Sequence, residues 1–482
     1  MLFNSLEFAI FLPIVFILYW FLTHKNLNLQ NFLLLSASYF FYAWWDWRFL
    51  SLIVFSSTID YIVGLKLSST TNESKRKILL LTSIFVNIGF LGFFKYFNFF
   101  SESFAQAFTL LGQPFEASRL NIILPVGISF YTFQTLSYSI DVYRRKMKPT
   151  KDIIAFFSFV SFFPQLVAGP IERATNLLPQ FYKKRNFDYL NAVDGLKQIL
   201  WGLFKKVVIA DNCAIIVNDI FVNYASYSGS TLILGAIFFA FQIYGDFSGY
   251  SDIAIGTARL FGFNLMQNFA FPYFSRDIAE FWRRWHISLS TWFRDYLYIP
   301  LGGSRGTNYF KIRNVFIIFL VSGFWHGANW TFIIWGALNA LYFLPIMLLN
   351  KNKINTDVVA QGKYLPSVRE VLSMTLTFSL TTIAWIFFRA EDIHHAISYL
   401  SNIIHPSILT FPELITPKLE MIYTLLCIFI LVLFEWINRD KIHALDIANY
   451  NKSNRWMLYL IIIIMIITFG AFNHNSFIYF QF

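Results

Sequence analysis

Long apolar runs constrain this chain more than any other feature of its sequence. A helix needs about 20 residues to cross the hydrocarbon core of a bilayer. Inside lipid, only α-helices and closed barrels satisfy all their backbone polar groups, and continuous rather than alternating apolar sequence favours helices. The clearest runs are residues 8–22, 78–100, 314–349, 371–388, 425–437 and 456–469.

The composition supports the same interpretation. Of the 482 residues, 56% are hydrophobic and 13% are charged, whereas about a quarter of an ordinary soluble domain is charged. The 59 Phe, 25 Tyr and 14 Trp suit interfacial belts and an aromatic interior. Cys213 and Cys427 lie in mostly apolar stretches and support neither a disulfide framework nor a zinc site. We therefore predict an integral membrane protein without a bound metal.

The basic residues act as topology signals. The net charge of +11 comes from short clusters between the apolar runs, so we expect no nucleic-acid partner. Positive charge concentrates on the cytoplasmic side of membrane proteins, which places the clusters at 74–77 and 144–151 inside. Counting spans from these clusters puts both ends of the chain outside, with the first run retained as a spanning helix.

The middle of the chain, about 165–310, does not divide into clean spans, because Gly, Pro, Asp and Arg interrupt it. Irregular backbone at membrane depth is tolerated only where it is buried in protein or lines a cavity. We expect the functional region here, and a cavity shaped by residues 163–173. The predicted fold is an all-α polytopic membrane protein: a single transmembrane domain, 1–482, of about 11 transmembrane helices with re-entrant and interfacial amphipathic helices.

Of the eight histidines, His326 lies deepest in an apolar run. It is 12 residues after Asn314, which corresponds to a depth of about 18 Å in a hydrocarbon core of about 30 Å. An ionisable side chain at such a depth indicates function by default, and the alternative is a structural histidine bonded between helices. Gly323 and Gly327 allow close approach of a neighbour, and Asn329 offers a neutral donor and acceptor.

His286 lies in a segment with a regular apolar stripe. Spacings of three and four residues predict one amphipathic helix on the cytoplasmic interface. In the functional interpretation its cations receive an anionic donor and His286 faces the site; the alternative is a plain membrane anchor. The stripe consists of Ile278, Trp282, Trp285, Leu289, Trp292 and Tyr296, and the polar side of Arg283, Arg284, Ser290 and Arg294.

The remaining histidines need no special role or lie near the end of the chain. A solvated surface explains those in predicted loops, which are His24, His394, His395, His405 and His443, while His474 lies in the last ten residues.

Two further groups of residues have both a functional and a structural interpretation. Ser304 and Arg305 lie among glycines in a turn that could cradle phosphate, although a tight turn explains the same residues. Asp246 and Asp252 lie in apolar sequence and need partners. We favour pairing with nearby arginines over direct catalysis.

Four stretches together carry a family resemblance: Leu-Val-Ala-Gly-Pro-Ile-Glu-Arg at 166–173, Asp-Phe-Ser-Gly-Tyr-Ser-Asp-Ile-Ala-Ile-Gly at 246–256, Phe-Trp-Arg-Arg-Trp-His-Ile-Ser-Leu-Ser at 281–290 and Gly-Phe-Trp-His-Gly-Ala-Asn-Trp at 323–330. The chain resembles the membrane-bound O-acyltransferase family, most closely its bacterial alginate O-acetylases and peptidoglycan O-acetyltransferases. The likeness extends over nearly the whole chain.

The resemblance implies a helical bundle around a central tunnel that joins the two faces of the membrane. It also implies acetyl transfer from a cytoplasmic thioester, such as acetyl-CoA, to a hydroxyl on an extracytoplasmic polysaccharide, through a partner protein. No bound cofactor is expected, and membrane lipid surrounds the chain. The family histidines match His326 and His286. A histidine, with a pKa near 6.5, can accept the hydroxyl proton and later protonate the thiolate.

The implied site has four parts. His326 is the general base, and His286 positions the donor or polarises its carbonyl. The residues around the reaction site or tunnel are Trp325, Asn329, Trp282 and Trp285, and the donor-binding residues are Arg283, Arg284, Ser304 and Arg305.

Tyr479 and two competing functions complete the expectations. A similar Phe-Ile-Tyr-Phe motif ends a small membrane partner in the related D-alanylation system, so Tyr479 is a candidate acyl shuttle; an aromatic interfacial anchor is the alternative.

Transport would also place His and Asp in broken helices, but it predicts inverted halves, and none are visible. D-alanyl transfer to teichoic acid from a carrier protein also stays open.

Overall fold

The computed structural model describes residues 1–113, 115, 117–167, 169–413, 418–472 and 477–478. Within these residues the chain is helical or irregular and contains no β-strand, which confirms the all-α class. It forms two compact units, one of residues 1–193 with 257–266 and one of residues 194–256 with 267–482. The assignment of a single domain stays a prediction.

The first unit is built mostly from the N-terminal helices. Short π-helical turns, Leu18–Leu22 and Gly92–Tyr96, continue two of them. The helices are α1 (Leu6–Ile17), α2 (Leu27–Ser69), α3 (Glu73–Leu91), α4 (Phe97–Leu110), α5 (Ile128–Tyr143), α6 (Ile153–Ser161), α7 (Phe163–Leu166) and α8 (Ala174–Leu177).

Helix α2 folds back on itself at Asp46, whose φ of −159° and ψ of 112° are not helical. Ser158 donates to the Asn31 carbonyl at 3.2 Å, and Tyr61 donates to the Lys151 carbonyl at 2.8 Å. A straight helix would separate residues 31 and 61 by about 45 Å, but the seven residues from 151 to 158 reach about 25 Å at most. The two halves of α2 are therefore separate helical segments joined by a sharp turn.

The two N-terminal basic clusters lie at the same end of the first unit. Arg145 pairs with Glu73 at 2.7 Å, and the Arg76 guanidinium donates to the Tyr143 carbonyl at 2.7 Å. This agrees with the prediction that both clusters occupy one side of the membrane.

The second unit holds the later helices and two further π-helical turns, Phe204–Ala210 and Arg294–Tyr298. Its helices are α9 (Tyr189–Leu203), α10 (Asp211–Val222), α11 (Gly229–Leu260), α12 (Ile278–Arg284), α13 (Ile287–Phe293), α14 (Asn308–His326), α15 (Trp330–Leu348), α16 (Val368–Arg389), α17 (Ile393–Ile403), α18 (Lys418–Ile437) and α19 (Lys452–Phe469), of which α9 and α11 each have one end in the first unit.

Helix α11 corrects the expectation that the middle of the chain has no clean span. It is a 32-residue helix despite its glycines and aspartates. A Cβ built on Gly249 would lie 2.7 Å from the Gly202 carbonyl oxygen, and one on Gly202 would lie 2.6 Å from the Gly249 carbonyl oxygen. Small residues let membrane helices approach this closely, so the glycines that lower the hydropathy serve helix packing.

In the described part of the chain, seven helices are long and apolar enough to cross a membrane. One of them is α2, which is interrupted by the turn at Asp46. Large apolar side chains also point outward, as Ile461, Ile464 and Ile467 do on α19, and lipid is the environment that suits them. A polytopic membrane protein is confirmed, while the count of about 11 is not.

Candidate active site

His326 is the last residue of α14, at the corner of a helical hairpin. The sequence predicted one apolar run through this point, but the chain turns at Gly327–Asn329 and returns as α15. A Cβ on Gly323 would lie 3.0 Å from the Phe332 carbonyl carbon. The predicted close approach at Gly323 is thus confirmed, and α15 itself is the neighbour.

Aromatic rings surround the His326 imidazole, which is 4% exposed. The ring of Trp335 is centred 5.0 Å away at 82°, and that of Phe388 is 5.3 Å away at 71°. Both present an edge-to-face arrangement, which is a favourable geometry for π-systems. The rings therefore hold the imidazole in one orientation.

His286 also lies at a corner, and this corrects the prediction of a continuous amphipathic helix. Helix α12 ends at Arg284, α13 begins at Ile287, and His286 between them has a left-handed φ of 44°. A non-glycine residue in this region is strained, and such strain concentrates at functional sites. His286 is 1% exposed rather than on the interface. Burial lowers its pKa to about 3, so the imidazole is neutral near pH 7.

Asn268 fixes the His286 corner, and sequence reasoning missed it. Its carbonyl accepts from the Ile287 backbone at 2.9 Å, and its side-chain oxygen accepts from the Ser288 hydroxyl at 2.9 Å. Its amide group donates to Ser251 on α11 at 3.0 Å. A lone asparagine in a loop carries no sequence signal for this role.

Trp325 connects the two histidines. Its indole is centred 4.9 Å from His326 and 6.0 Å from His286. Both imidazoles therefore belong to one buried aromatic cluster, as the sequence assignment of His286, His326 and Trp325 to one site requires.

A cavity of about 450 Å³ approaches this cluster through Trp282. The indole of Trp282 lies on its wall and is centred 5.8 Å from Trp335, the neighbour of His326. Ser322 also lines the cavity, one helical turn or about 6 Å along α14 from His326. Trp282 lies on the cavity wall, whereas Trp285 packs 5.1 Å from Trp385 in the core; the tunnel role of both stays a prediction.

The cavity has an apolar interior and several basic and hydroxyl groups. Of the predicted donor-binding residues, Ser304 lies here. Arg294 was interpreted only as part of the polar side of a helix, and Lys311 and Lys353 were not singled out from sequence. The lining includes Phe319, Phe343, Met347, Ser290, Tyr298, Ser304, Asn350, Arg294, Lys311 and Lys353.

The other predicted donor-binding residues contact protein groups. Arg283 donates to the Asn352 and Asn355 carbonyls at 2.8 and 2.7 Å. Arg284 pairs with Glu280 at 2.9 Å. Both side chains therefore hold local structure, and Arg305 lies exposed in the glycine turn.

Asn329 is a helix cap. Its side-chain oxygen accepts from the Thr331 backbone at 3.0 Å, and its amide group donates to the Glu391 carbonyl at 2.7 Å. The proposed support of His326 by the Asn329 side chain is therefore replaced by a role in starting α15.

The aspartates of α11, of which Asp246 is buried and Asp252 partly buried, pair with lysines and not with the arginines we expected. Asp246 lies 2.8 Å from Lys206, and Asp252 lies 2.6 Å from Lys205. Lys206 is 1% and Lys205 is 3% exposed, and a buried ion pair compensates charges that would be costly alone. The prediction that these aspartates form ion pairs is confirmed, but the predicted partners were wrong.

Three other expectations fall elsewhere. His443 was assigned to a solvated loop, but it is 2% exposed and lies 3.2 Å from Asp194. His474 and Tyr479 lie outside the described residues.

The fold and the site define an integral membrane enzyme with a buried histidine site that a cavity approaches. Comparison with known proteins supplies the family. The sequence model of the membrane-bound O-acyltransferase family matches residues 148–384. A Pseudomonas syringae pv. tomato protein named "Probable alginate O-acetylase" is 43% identical over 401 residues, which is 82% of this chain and 74% of the relative.

Two further relatives differ in the acyl group that they are named for. The peptidoglycan O-acetyltransferase of Helicobacter pylori is 38% identical over 84% of this chain and 80% of its own length. The teichoic acid D-alanyltransferase of Bacillus subtilis is 28% identical over 57% of this chain and 71% of its own. The chain belongs to the membrane-bound O-acyltransferase family, and it is an O-acyltransferase.

Proposed function

We propose that this enzyme transfers an acetyl group from cytoplasmic acetyl-CoA to a hydroxyl of an extracytoplasmic polysaccharide, either an alginate-like exopolysaccharide or peptidoglycan. The names of relatives that cover most of the chain support this acetyl group and this acceptor class. The charge pattern supports an orientation with both ends of the chain outside, and the bacterial sources of the relatives support a bacterial inner membrane location.

The cavity is the proposed donor site. Arg294, Lys311 and Lys353 would receive the phosphates of coenzyme A, because hydrogen bonds from Arg or Lys to phosphate are charge-assisted and stronger than neutral ones. The apolar wall around Phe319 would receive the pantetheine arm. Trp282 then leads from this wall towards Trp335 and His326. The thioester is a substrate, and the proposed reaction needs no bound cofactor.

His326 would act as the general base. The acceptor oxygen attacks the thioester carbonyl while the His326 imidazole takes the hydroxyl proton. A tetrahedral oxyanion forms, and its collapse breaks the carbon–sulfur bond. The thiolate leaves and takes the proton from the imidazolium, so His326 returns to its neutral form and the products are an ester and a free thiol.

His286 would position the donor. Its neutral imidazole can donate one hydrogen bond, which suits the carbonyl oxygen as negative charge develops on it. Two histidines are needed because His326 must be free to accept the hydroxyl proton while His286 donates a hydrogen bond to the thioester carbonyl. The short distance of each from Trp325 supports this division.

The acceptor would arrive from outside with the help of an extracytoplasmic partner protein. Tyr479 is the proposed intermediate carrier of the acyl group, since its position near the external end supports access from that side. Tyr479→Phe keeps the ring and removes the hydroxyl, so unchanged transfer by this variant would rule the carrier out.

The observation that carries the proposal is the chain of contacts from the buried base, His326, through Trp335 and Trp282 to a cavity with basic residues. The test offers membranes containing the enzyme either radiolabelled acetyl-CoA or a D-alanyl carrier protein. We expect label in extracytoplasmic polysaccharide from acetyl-CoA. Label from the D-alanyl carrier alone would contradict acetyl transfer and favour the function named for the Bacillus relative.

A further inference from the structure

The chain near its C-terminal end is buried in the second unit. Phe477 and Ile478 are 0% and 2% exposed, although α19 ends at Phe469. The chain just after α19 is also tied down, because Asn212 donates to the Phe469 carbonyl at 2.8 Å and the Ala471 backbone donates to the Val207 carbonyl at 2.9 Å. We call Phe477 and Ile478 the C-terminal contact.

The contact is held by a buried carboxylate. The Ile478 backbone N–H donates to Asp246 at 2.6 Å, on the oxygen that does not face Lys206. Lys206 lies 2.8 Å from Asp246 and 2.7 Å from Asp211, so one ammonium is shared by two carboxylates. A buried carboxylate gains from each further donor, and the Ile478 backbone supplies one.

The contact also reaches His286 through aromatic rings. Phe477 is centred 4.5 Å from Tyr250 and 6.0 Å from Phe247. Phe247 lies edge-on to the His286 imidazole, with ring centres 4.6 Å apart and an interplanar angle of 85°. The ring of Phe247 therefore packs against both Phe477 and His286.

We propose that Asp246 is a positioning residue that fixes the C-terminal contact against α11, and that the fixed contact holds Phe247 against His286. The link to catalysis rests on the proposed function, whereas the anchoring of the contact does not. Asp246 then has a role beyond balancing charge. One oxygen of its carboxylate contacts Lys206, and the other accepts from the Ile478 backbone in the C-terminal contact.

The neighbouring ion pair supplies a matched control. Asp252 lies on the same helix, pairs with Lys205 at 2.6 Å and accepts from Gln198 at 2.7 Å. Within the described part of the chain, its side-chain hydrogen-bond and ion-pair partners are Gln198 and Lys205, not Phe477 or Ile478. If burial of charge were the whole role of Asp246, substitution of either aspartate would have the same effect.

The first experiment measures release of the contact in the full-length enzyme in membranes. Ile478→Cys keeps the backbone donor and places a thiol at a buried position, while native Cys213 and Cys427 are buried. In the Ile478→Cys background, we expect Asp246→Asn to raise the rate of maleimide labelling at residue 478 by about tenfold. The reason is that asparagine has one acceptor oxygen for two donors, the Lys206 ammonium and the backbone N–H of residue 478. Asp252→Asn should leave the rate unchanged. Equal rates in both variants would overturn the anchoring.

The second experiment measures acetyl transfer kinetics. Asp246→Asn should lower kcat about tenfold with KM for acetyl-CoA unchanged, because the cavity residues are separate from the contact. Phe477→Ala leaves the ion pairs intact and should reproduce this loss if Asp246→Asn fails to fold. Increased labelling with an unchanged kcat would overturn the positioning of His286. Absence of transfer by the wild type would contradict the proposed function, and the labelling result would still decide the anchoring.

Discussion

The indole of Trp325 is centred 4.9 Å from the imidazole of His326 at an interplanar angle of 75°. The same indole is centred 6.0 Å from His286, so one side chain packs beside both imidazoles. Trp325→Ala should leave a void and lower kcat by about 100-fold, since displacement of about 1 Å costs on the order of 100-fold in rate. Trp325→Phe should lose much less.

The measurement for Trp325 is kcat of purified variants alongside their thermal unfolding. Trp456→Ala is the matched control, because Trp456 is 60% exposed on α19. Loss of activity in Trp456→Ala equal to that in Trp325→Ala would contradict a local role for Trp325.

The donor cavity makes a prediction about charge. Lys311→Glu and Lys353→Glu place an anion on the cavity wall, so each should raise KM for acetyl-CoA by about fivefold at low salt and by less at high salt. The kcat should stay close to that of the wild type. Lys452→Glu, on an exposed residue at the start of α19, should leave KM unchanged.

Steady-state kinetics at two ionic strengths separate these outcomes. A KM that rises equally in all three lysine variants would indicate a general effect of charge. In that case the cavity would not be the donor site.

Helix packing around α11 predicts opposite effects of the same substitution at two glycines. Gly249→Ala would place a Cβ 2.7 Å from the Gly202 carbonyl oxygen, so it should lower the unfolding temperature. At Gly89 on α3 nothing lies within 4 Å of the added Cβ, and alanine should stabilise the helix by about 0.5–1 kcal/mol. Thermal unfolding of both variants in one detergent tests this. Stabilisation by Gly249→Ala would contradict the packing.

The burial of His286 predicts loss of stability in acid. Its pKa is lowered to about 3, whereas an unfolded histidine has a pKa of about 6.5. Between these values only the unfolded chain binds the proton, so the free energy of unfolding falls as the pH is lowered below about 6.5. The expected loss is about 1.4 kcal/mol per pH unit, or about 2 kcal/mol at pH 5.

Thermal unfolding at pH 7 and pH 5 measures this contribution. His286→Asn should show a smaller decrease than the wild type, while His24→Asn, at an exposed position, should match the wild type. The same decrease in His286→Asn and the wild type would show that His286 is not the residue responsible.

The parts of the structure that were predictable from sequence are those in which a physical cost is visible in the residue pattern. Apolar runs identified membrane helices because water cannot solvate them. His326 was identified because an ionisable side chain within such an apolar run is costly and indicates a function. Gly323 marked a close approach, and α15 makes that approach.

The parts that were missed depend on tertiary neighbours. The regular stripe around His286 predicted one helix, because the left-handed conformation of a histidine has no sequence pattern. Helix α11 was missed because Gly249 and Asp246 lower its hydropathy, and their partners Gly202 and Lys206 lie 40 or more positions earlier. Asn268 gives no signal until Ile287 and Ser288 are seen beside it.

The central claim is that His326 carries out acyl transfer, and the most direct measurement compares the wild type with His326→Ala at matched expression. Membranes receive radiolabelled acetyl-CoA, and label in extracytoplasmic polysaccharide is counted, with Trp456→Ala as a folded control. The account predicts label with the wild type and the control and none above background with His326→Ala. Equal label with His326→Ala would contradict the assignment of His326 as the base.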